Sequence, residues 1–275
     1  MVMYWMAASL PAGVGWLTCR QVRSVEDAVR EDRTPGQPHL HIALPVQLYG
    51  TARRNSSGPD LAHEPTLRLL AQQMLAHTAP LQVRPLLAGS VQGGEWHTLR
   101  NPADHADVIG SVQYASEGDV LTALQAAQAF APEWAQTTPE QRVALLEQAA
   151  DLLLQDAPRC MALLVREAGK TWAHAVAELR EAVDFLRYYA AQVRRDFDNR
   201  THVALGPVVC ISPWNFPLAI FMGQVAAALA AGNPVLAKPA ESTPAMAALF
   251  TDINCLSQQW TRLARCHYGR KILPI

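Results

Sequence analysis

Val208-Val209-Cys210-Ile211-Ser212-Pro213-Trp214-Asn215-Phe216-Pro217 is the stretch on which the fold turns. Its first four residues are apolar and largely β-branched, as a buried strand requires. Pro213 and Pro217 then bracket a stiff turn with an indole and an amide at its tip. A run of small and apolar residues, Met222 to Gly232, reads as a helix, and Pro234-Val235-Leu236-Ala237 as a second strand closing on Lys238-Pro239-Ala240-Glu241. Strand, helix and strand at this spacing form a βαβ unit, which needs a parallel sheet and puts its ligand at the carboxyl ends of the strands. Polar residues stand at both ends: Ser212 and Asn215 after the first strand, Lys238 and Glu241 after the second.

Working outward, the region from Asn101 predicts a strand over Asp107–Gln113 and a helix from Val120 to about Ala131, opened by Ser116 and Asp119 as a capping box. Thr138, Pro139 and Gln141 open a second helix, and Pro158 a third that stops at Gly169. Trp172 to Phe197 is the longest. Val176, Leu179, Val183, Leu186, Ala190 and Val193 share one face, and Glu178, Arg180, Glu181, Arg187, Arg194 and Arg195 are expected on a solvated one. Upstream, Leu67–Leu75 suggests a helix, and Gly93-Gly94 a turn between short strands. Pro244 opens another helix downstream. From about Asn254 no clean period remains, so the parallel sheet is expected to stop after two strands with an open edge.

Half of the 275 residues are hydrophobic, enough for a buried core, and a net charge of −1 gives no electrostatic case for nucleic acid. Lysines occur only at 170, 238 and 271, against a large excess of arginine. The five cysteines, Cys19, Cys160, Cys210, Cys255 and Cys266, are odd in number and irregularly spaced. That excludes a disulfide framework and points to a reducing, cytoplasmic setting. Cys255, Cys266 and His267 lack metal-site spacing, so no metal is expected. The first eighteen residues are uncharged and largely apolar. They have no basic n-region for a signal peptide, and Pro11, Gly13 and Gly15 break them as a membrane helix.

Two constellations carry chemistry. The amide of Asn215, braced by two prolines, suits donation to a developing oxyanion; a turn asparagine bonding its own backbone is the competing reading. Lys238 and Glu241 suit the two hydroxyls of a ribose, with the carboxylate repelling a 2′-phosphate and favouring NAD over NADP; a solvated ion pair is the alternative. No G-x-G-x-x-G occurs, so a nucleotide would bind by another geometry.

Pro213-Trp214-Asn215-Phe216-Pro217, Ala230-Ala231-Gly232-Asn233-Pro234-Val235 and Lys238-Pro239-Ala240-Glu241-Ser242-Thr243-Pro244 together resemble the aldehyde dehydrogenase superfamily. Leu48-Tyr49-Gly50, Arg54-Asn55-Ser56, Gly58-x-Asp60-Leu61, Glu167-Ala168-Gly169-Lys170-Thr171 and Glu181 to Tyr189 narrow the resemblance. They resemble the glutamate-γ-semialdehyde (1-pyrroline-5-carboxylate) dehydrogenase domain of bifunctional proline utilisation proteins, over roughly residues 38–253. The resemblance implies an α/β fold, N-terminal helices followed by the start of a parallel Rossmann-like sheet. It also implies a cofactor, NAD, and an aldehyde substrate. Asn215 would be the side-chain half of the oxyanion hole. Ile211, Ser212, Pro213 and Trp214 would line the cofactor, and Lys238, Ala240 and Glu241 would hold its adenosine ribose. The family reaction uses a cysteine thiolate, hydride transfer to NAD and hydrolysis of a thioester.

The chain departs from that pattern downstream of Glu241. It has no room for the family's Gly-rich turn, glutamate base and nucleophilic cysteine, and Cys210 precedes the asparagine. The expectation is an incomplete domain, truncated or frameshifted and inactive alone. Residues 1–36 form an atypical segment, 37–97 a linker-like region, 98–254 the partial NAD-binding domain and 255–275 an aberrant tail. The alternatives are a non-catalytic binding or assembly module and another subfamily, such as a succinate semialdehyde enzyme.

Overall fold

The computed structural model describes residues 42–87, 94–255 and 264–266. Residues 1–36 and the Gly93 turn lie outside them, as do the side chains of Cys255 and Cys266. In chain order the elements are α1 (Glu64–Leu75), β1 (Leu81–Val83), β2 (Trp96–Arg100), β3 (Val108–Gln113), α2 (Glu117–Ala135), α3 (Pro139–Gln155) and α4 (Ala157–Ala168). There follow α5 (Trp172–Asp196), β4 (Val208–Ile211), α6 (Ala219–Ala230), β5 (Val235–Lys238), α7 (Pro244–Cys255) and β6 (Ala264–Cys266). No helix among the described residues is long and apolar enough to cross a membrane.

The helix boundaries follow from local chemistry. Ser116 and Asp119 cap α2 reciprocally, and Thr138 and Gln141 do the same for α3 with Pro139 in the first turn. Gly169 ends α4 in the left-handed conformation, φ 63°, which a side chain would strain. α2 corrects the expected stop at Ala131: it runs through Pro132 to Ala135. The extra turn buries Trp134, and burying so large a ring offsets the backbone bond that Pro132 cannot make.

The described residues form two sheets. In the first, β3 is central, parallel to β1 and antiparallel to β2. The second has the order β4-β5-β6 and is parallel throughout, so the βαβ unit stands as expected. Its third strand is a correction, because two strands were expected. β6 spans three residues, too short to show alternation in sequence, and its backbone pairs along the outer edge of β5. β5 is covered on both faces. Leu236 packs against Ala123 and Ala127 of α2, while Val235 and Ala237 join the main core with Phe221, Met246 and Phe250. β4, at the edge, leaves Val209 61% exposed on the face that Leu236 shares.

α5 packs against α3 and α6. Gly223 makes the α6 approach possible: a Cβ there would sit 3.2 Å from the Phe185 ring of α5. The expected solvated face of α5 is a second correction. Glu178 and Arg187 are buried, and Arg180 is half-buried. Arg187 pairs with Asp151 of α3 at 2.9 Å, and Arg180 donates to the carbonyl of Ser56 at 3.3 Å. Neighbouring segments cover that side of the helix, and each charge there meets a partner of opposite sign or a carbonyl. Arg194 and Arg195 do face solvent.

Candidate active site

The parallel register pairs Ile211 with Lys238, and the Ser212 N–H donates to the Lys238 carbonyl at 3.1 Å. Strand alternation then puts Ile211 and Lys238 side by side on one face. Lys238 Nζ lies 3.8 Å from Glu241 Oε1, both partly exposed. Such a pair contributes little stability, which leaves both groups available to a ligand. The Tyr114 hydroxyl donates to the Glu241 carbonyl at 3.1 Å and ties the loop carrying Ala240 and Glu241 to the end of β3. Ser212 is buried, and its Oγ has no hydrogen-bond partner among the described residues.

Pro213, Trp214 and Asn215 are all exposed on the turn above β4, the indole 58% so. The Asn215 amide makes no hydrogen bond among the described residues, so the reading of a self-bonded turn asparagine finds no support. The structure therefore brings Ile211, Ser212 and Lys238 into contact range through the sheet. Pro213, Trp214 and Asn215 sit on the turn after one strand, and Ala240 and Glu241 on the loop after its neighbour.

Beneath the turn lies a group that sequence reasoning missed. Glu178, 1% exposed, accepts from the Leu218 N–H at 2.8 Å and the Ala219 N–H at 3.3 Å through Oε1. Its Oε2 meets Lys170 Nζ at 2.8 Å, and that ammonium stands 4.3 Å from the centroid of the Phe216 ring. Burial and the Glu178 charge raise the Glu181 carboxyl above its usual range, with Lys170 opposing. Lys170 was legible as one of only three lysines, and Glu178 was hidden among charges on a helix face.

Neither described thiol is poised for nucleophilic attack. Cys210 is buried in β4, and burial pushes its thiol up to about 11. Cys160 is fully buried in α4, and desolvation raises it further.

The sequence profile of the aldehyde dehydrogenase family matches residues 90–255. This chain belongs to the aldehyde dehydrogenase family. It is 53% identical over 233 residues to the bifunctional protein PutA of Klebsiella aerogenes, covering 84% of this chain and 18% of that protein. It is 39% identical over 165 residues to a 1-pyrroline-5-carboxylate dehydrogenase of Bacillus cytotoxicus, covering 56% and 32%. A solved 1-pyrroline-5-carboxylate dehydrogenase from Thermus with bound NAD superposes with a TM-score of 0.72 at 29% identity, over 78% of this chain and 45% of that one. The aldehyde dehydrogenase fold is thus shared, and the chain spans less than half the length of each of these relatives.

Proposed function

We propose that this chain is part of an NAD-dependent L-glutamate-γ-semialdehyde (1-pyrroline-5-carboxylate) dehydrogenase in the catabolism of proline to glutamate, and that it is inactive alone. The observation that carries the reading is the meeting of two strand ends, Ser212 bonded to Lys238 with the Asn215 turn beside them. The donor set fits a dinucleotide. A buried hydroxyl without a partner among the described residues, an ammonium beside a carboxylate and an exposed indole stand at the carboxyl edge of a parallel sheet. Residues 98–254 supply this part of the domain.

Lys238 donates to the adenosine ribose and Glu241 accepts from it, with Ala240 alongside. Ile211, Ser212, Pro213 and Trp214 line the cofactor. The Glu241 carboxylate disfavours a 2′-phosphate, so NAD is preferred to NADP. When bound, NAD supplies the hydride acceptor for oxidation of the aldehyde. Asn215 Nδ2 donates to the aldehyde oxygen as negative charge develops there, a contact worth roughly 3 kcal/mol in sites of this kind. The buried, high-pKa thiols of Cys160 and Cys210 support inactivity in isolation, and as free thiols they fit a reducing, cytoplasmic setting.

Calorimetric titration with NAD and NADP, paired with an assay of NADH formation from glutamate γ-semialdehyde, tests this. Expected are heat with NAD, weaker heat with NADP, loss of the NAD heat in K238A, and no NADH. Semialdehyde-dependent NADH would overturn inactivity. Absence of NAD heat, both alone and mixed with the rest of the dehydrogenase domain of a PutA relative, would overturn the cofactor assignment. The exposed apolar residues Val203, Leu205, Val209 and Ile211 favour a second reading, an inert assembly module. A stable mixture without turnover would support it, and restored turnover would exclude it.

A further inference from the structure

The turn that carries Asn215 is short, exposed and followed by a helix whose N-cap position, Leu218, offers no capping side chain. Something else must fix where that turn points. Phe216 and Leu218 are both held from below, by residues outside the turn. Glu178 Oε1 takes the Leu218 and Ala219 N–H groups, which are orphan donors at the start of α6. Glu178 Oε2 takes the Lys170 ammonium, which in turn faces the Phe216 ring, the residue next to Asn215. The two ends of the Phe216–Leu218 segment are therefore joined through one ion pair, a buried Glu178 and a largely buried Lys170, drawn from the second turn of α5 and from the α4–α5 junction.

Removing one member of a buried pair leaves the other charged and desolvated, so the pair is held firmly once formed. We infer that Lys170 and Glu178 are positioning residues that set the direction of the Asn215 amide and the Trp214 indole through Phe216 and Leu218. The inference rests on the reading of Asn215 and Trp214 as site residues. It assigns no contact with substrate or cofactor to Lys170 or Glu178.

Asparagine-selective nitrogen labelling of the full chain tests it. The Asn215 side-chain amide signal is assigned with N215A. The Asn233 amide serves as the internal control, because it is buried with its carbonyl oxygen bonded to the Leu205 and Gly206 backbones. K170M is expected to shift or broaden the Asn215 signal while Asn233 stays in place, and K170R to return it towards the wild-type position. E178Q keeps an acceptor for the Leu218 N–H and removes only the charge, so it is expected to move Asn215 in the same way. An Asn215 signal unchanged in K170M and E178Q overturns the inference. If K170M also displaces Asn233, E178Q and K170R carry the test, and equal displacement of both amides in E178Q overturns it as well. Added NAD separates the two levels. If NAD gives no heat with the wild type, alone or mixed with the rest of the dehydrogenase domain, while K170M moves the Asn215 signal, the cofactor reading fails and the positioning contact stands.

Discussion

Glu167 is a fully buried carboxyl whose oxygens accept from the Ala245 and Met246 N–H groups at 2.7 and 2.8 Å. Burial outweighs those bonds and raises it to about 8 from an ordinary 4.5. A carboxyl raised by folding contributes its full stability below its unfolded pKa and loses it as pH climbs through the folded one. Denaturant melts near pH 5 and near pH 9 are therefore expected to differ more in the wild type than in E167Q, which cannot ionise. The same chemistry makes Cys210 slow: a thiol held near 11 in a strand is expected to react with a disulfide reagent far more slowly than free cysteine, and rapid labelling of folded protein would contradict that. Asn215, Lys238 and Glu241 were legible in sequence because turn and strand-end chemistry is local. Glu178 was not. Its partners, Leu218 and Ala219, lie about forty residues downstream, and only tertiary packing decides whether a helical carboxylate faces water or a helix N-terminus.

At the level of elements, the capped helices were the most readable. Ser116 with Asp119 and Thr138 with Gln141 satisfy orphan donors within four residues, so the signal and the structure are the same bonds. T138A is expected to cost about 1 kcal/mol in chemical denaturation. α6 and α7 start differently. Their first N–H groups are met by the side-chain oxygens of Glu178 of α5 and Glu167 of α4, both borrowed from elsewhere in the chain. Thr243, at the natural cap position of α7, has a hydroxyl with no hydrogen-bond partner among the described residues. Local sequence found the start of α7 through Pro244 and could not find its cap. Gly223 separates two further effects. G223A gains helix propensity of about 1 kcal/mol and loses a comparable amount to crowding against Phe185, so little net change is expected. G223L has no such offset, and a loss of about 2–3 kcal/mol is expected in the same measurement.

At the scale of the molecule, β4 is a sheet edge with Val209 and Ile211 exposed on one face and Val203 and Leu205 exposed just before it. Edges of this kind pair with other chains. Concentration-dependent self-association is expected, and V209K should reduce it in light scattering without altering the helical circular dichroism. Unchanged association would show that the edge is not the contact. β6 escaped sequence reading for a related reason: three residues recruited to the far edge of β5 need no pattern of their own, only unpaired backbone beside them. α6 has the opposite character, because it is gripped at both ends. Glu178 meets its first amides, and the buried guanidinium of Arg142, drawn from α3, donates to the Ala230 carbonyl at 2.9 Å and to the Thr137 carbonyl at 2.7 Å. Negative charge at the start and positive charge at the finish both suit the helix dipole. Releasing α6 would strand one ion in α5 and another in α3, so the three cylinders should melt as one foldon. Their slowest amide protons should exchange with deuterium at a common free energy, and the turn that carries Asn215 inherits the stiffness of the whole trio.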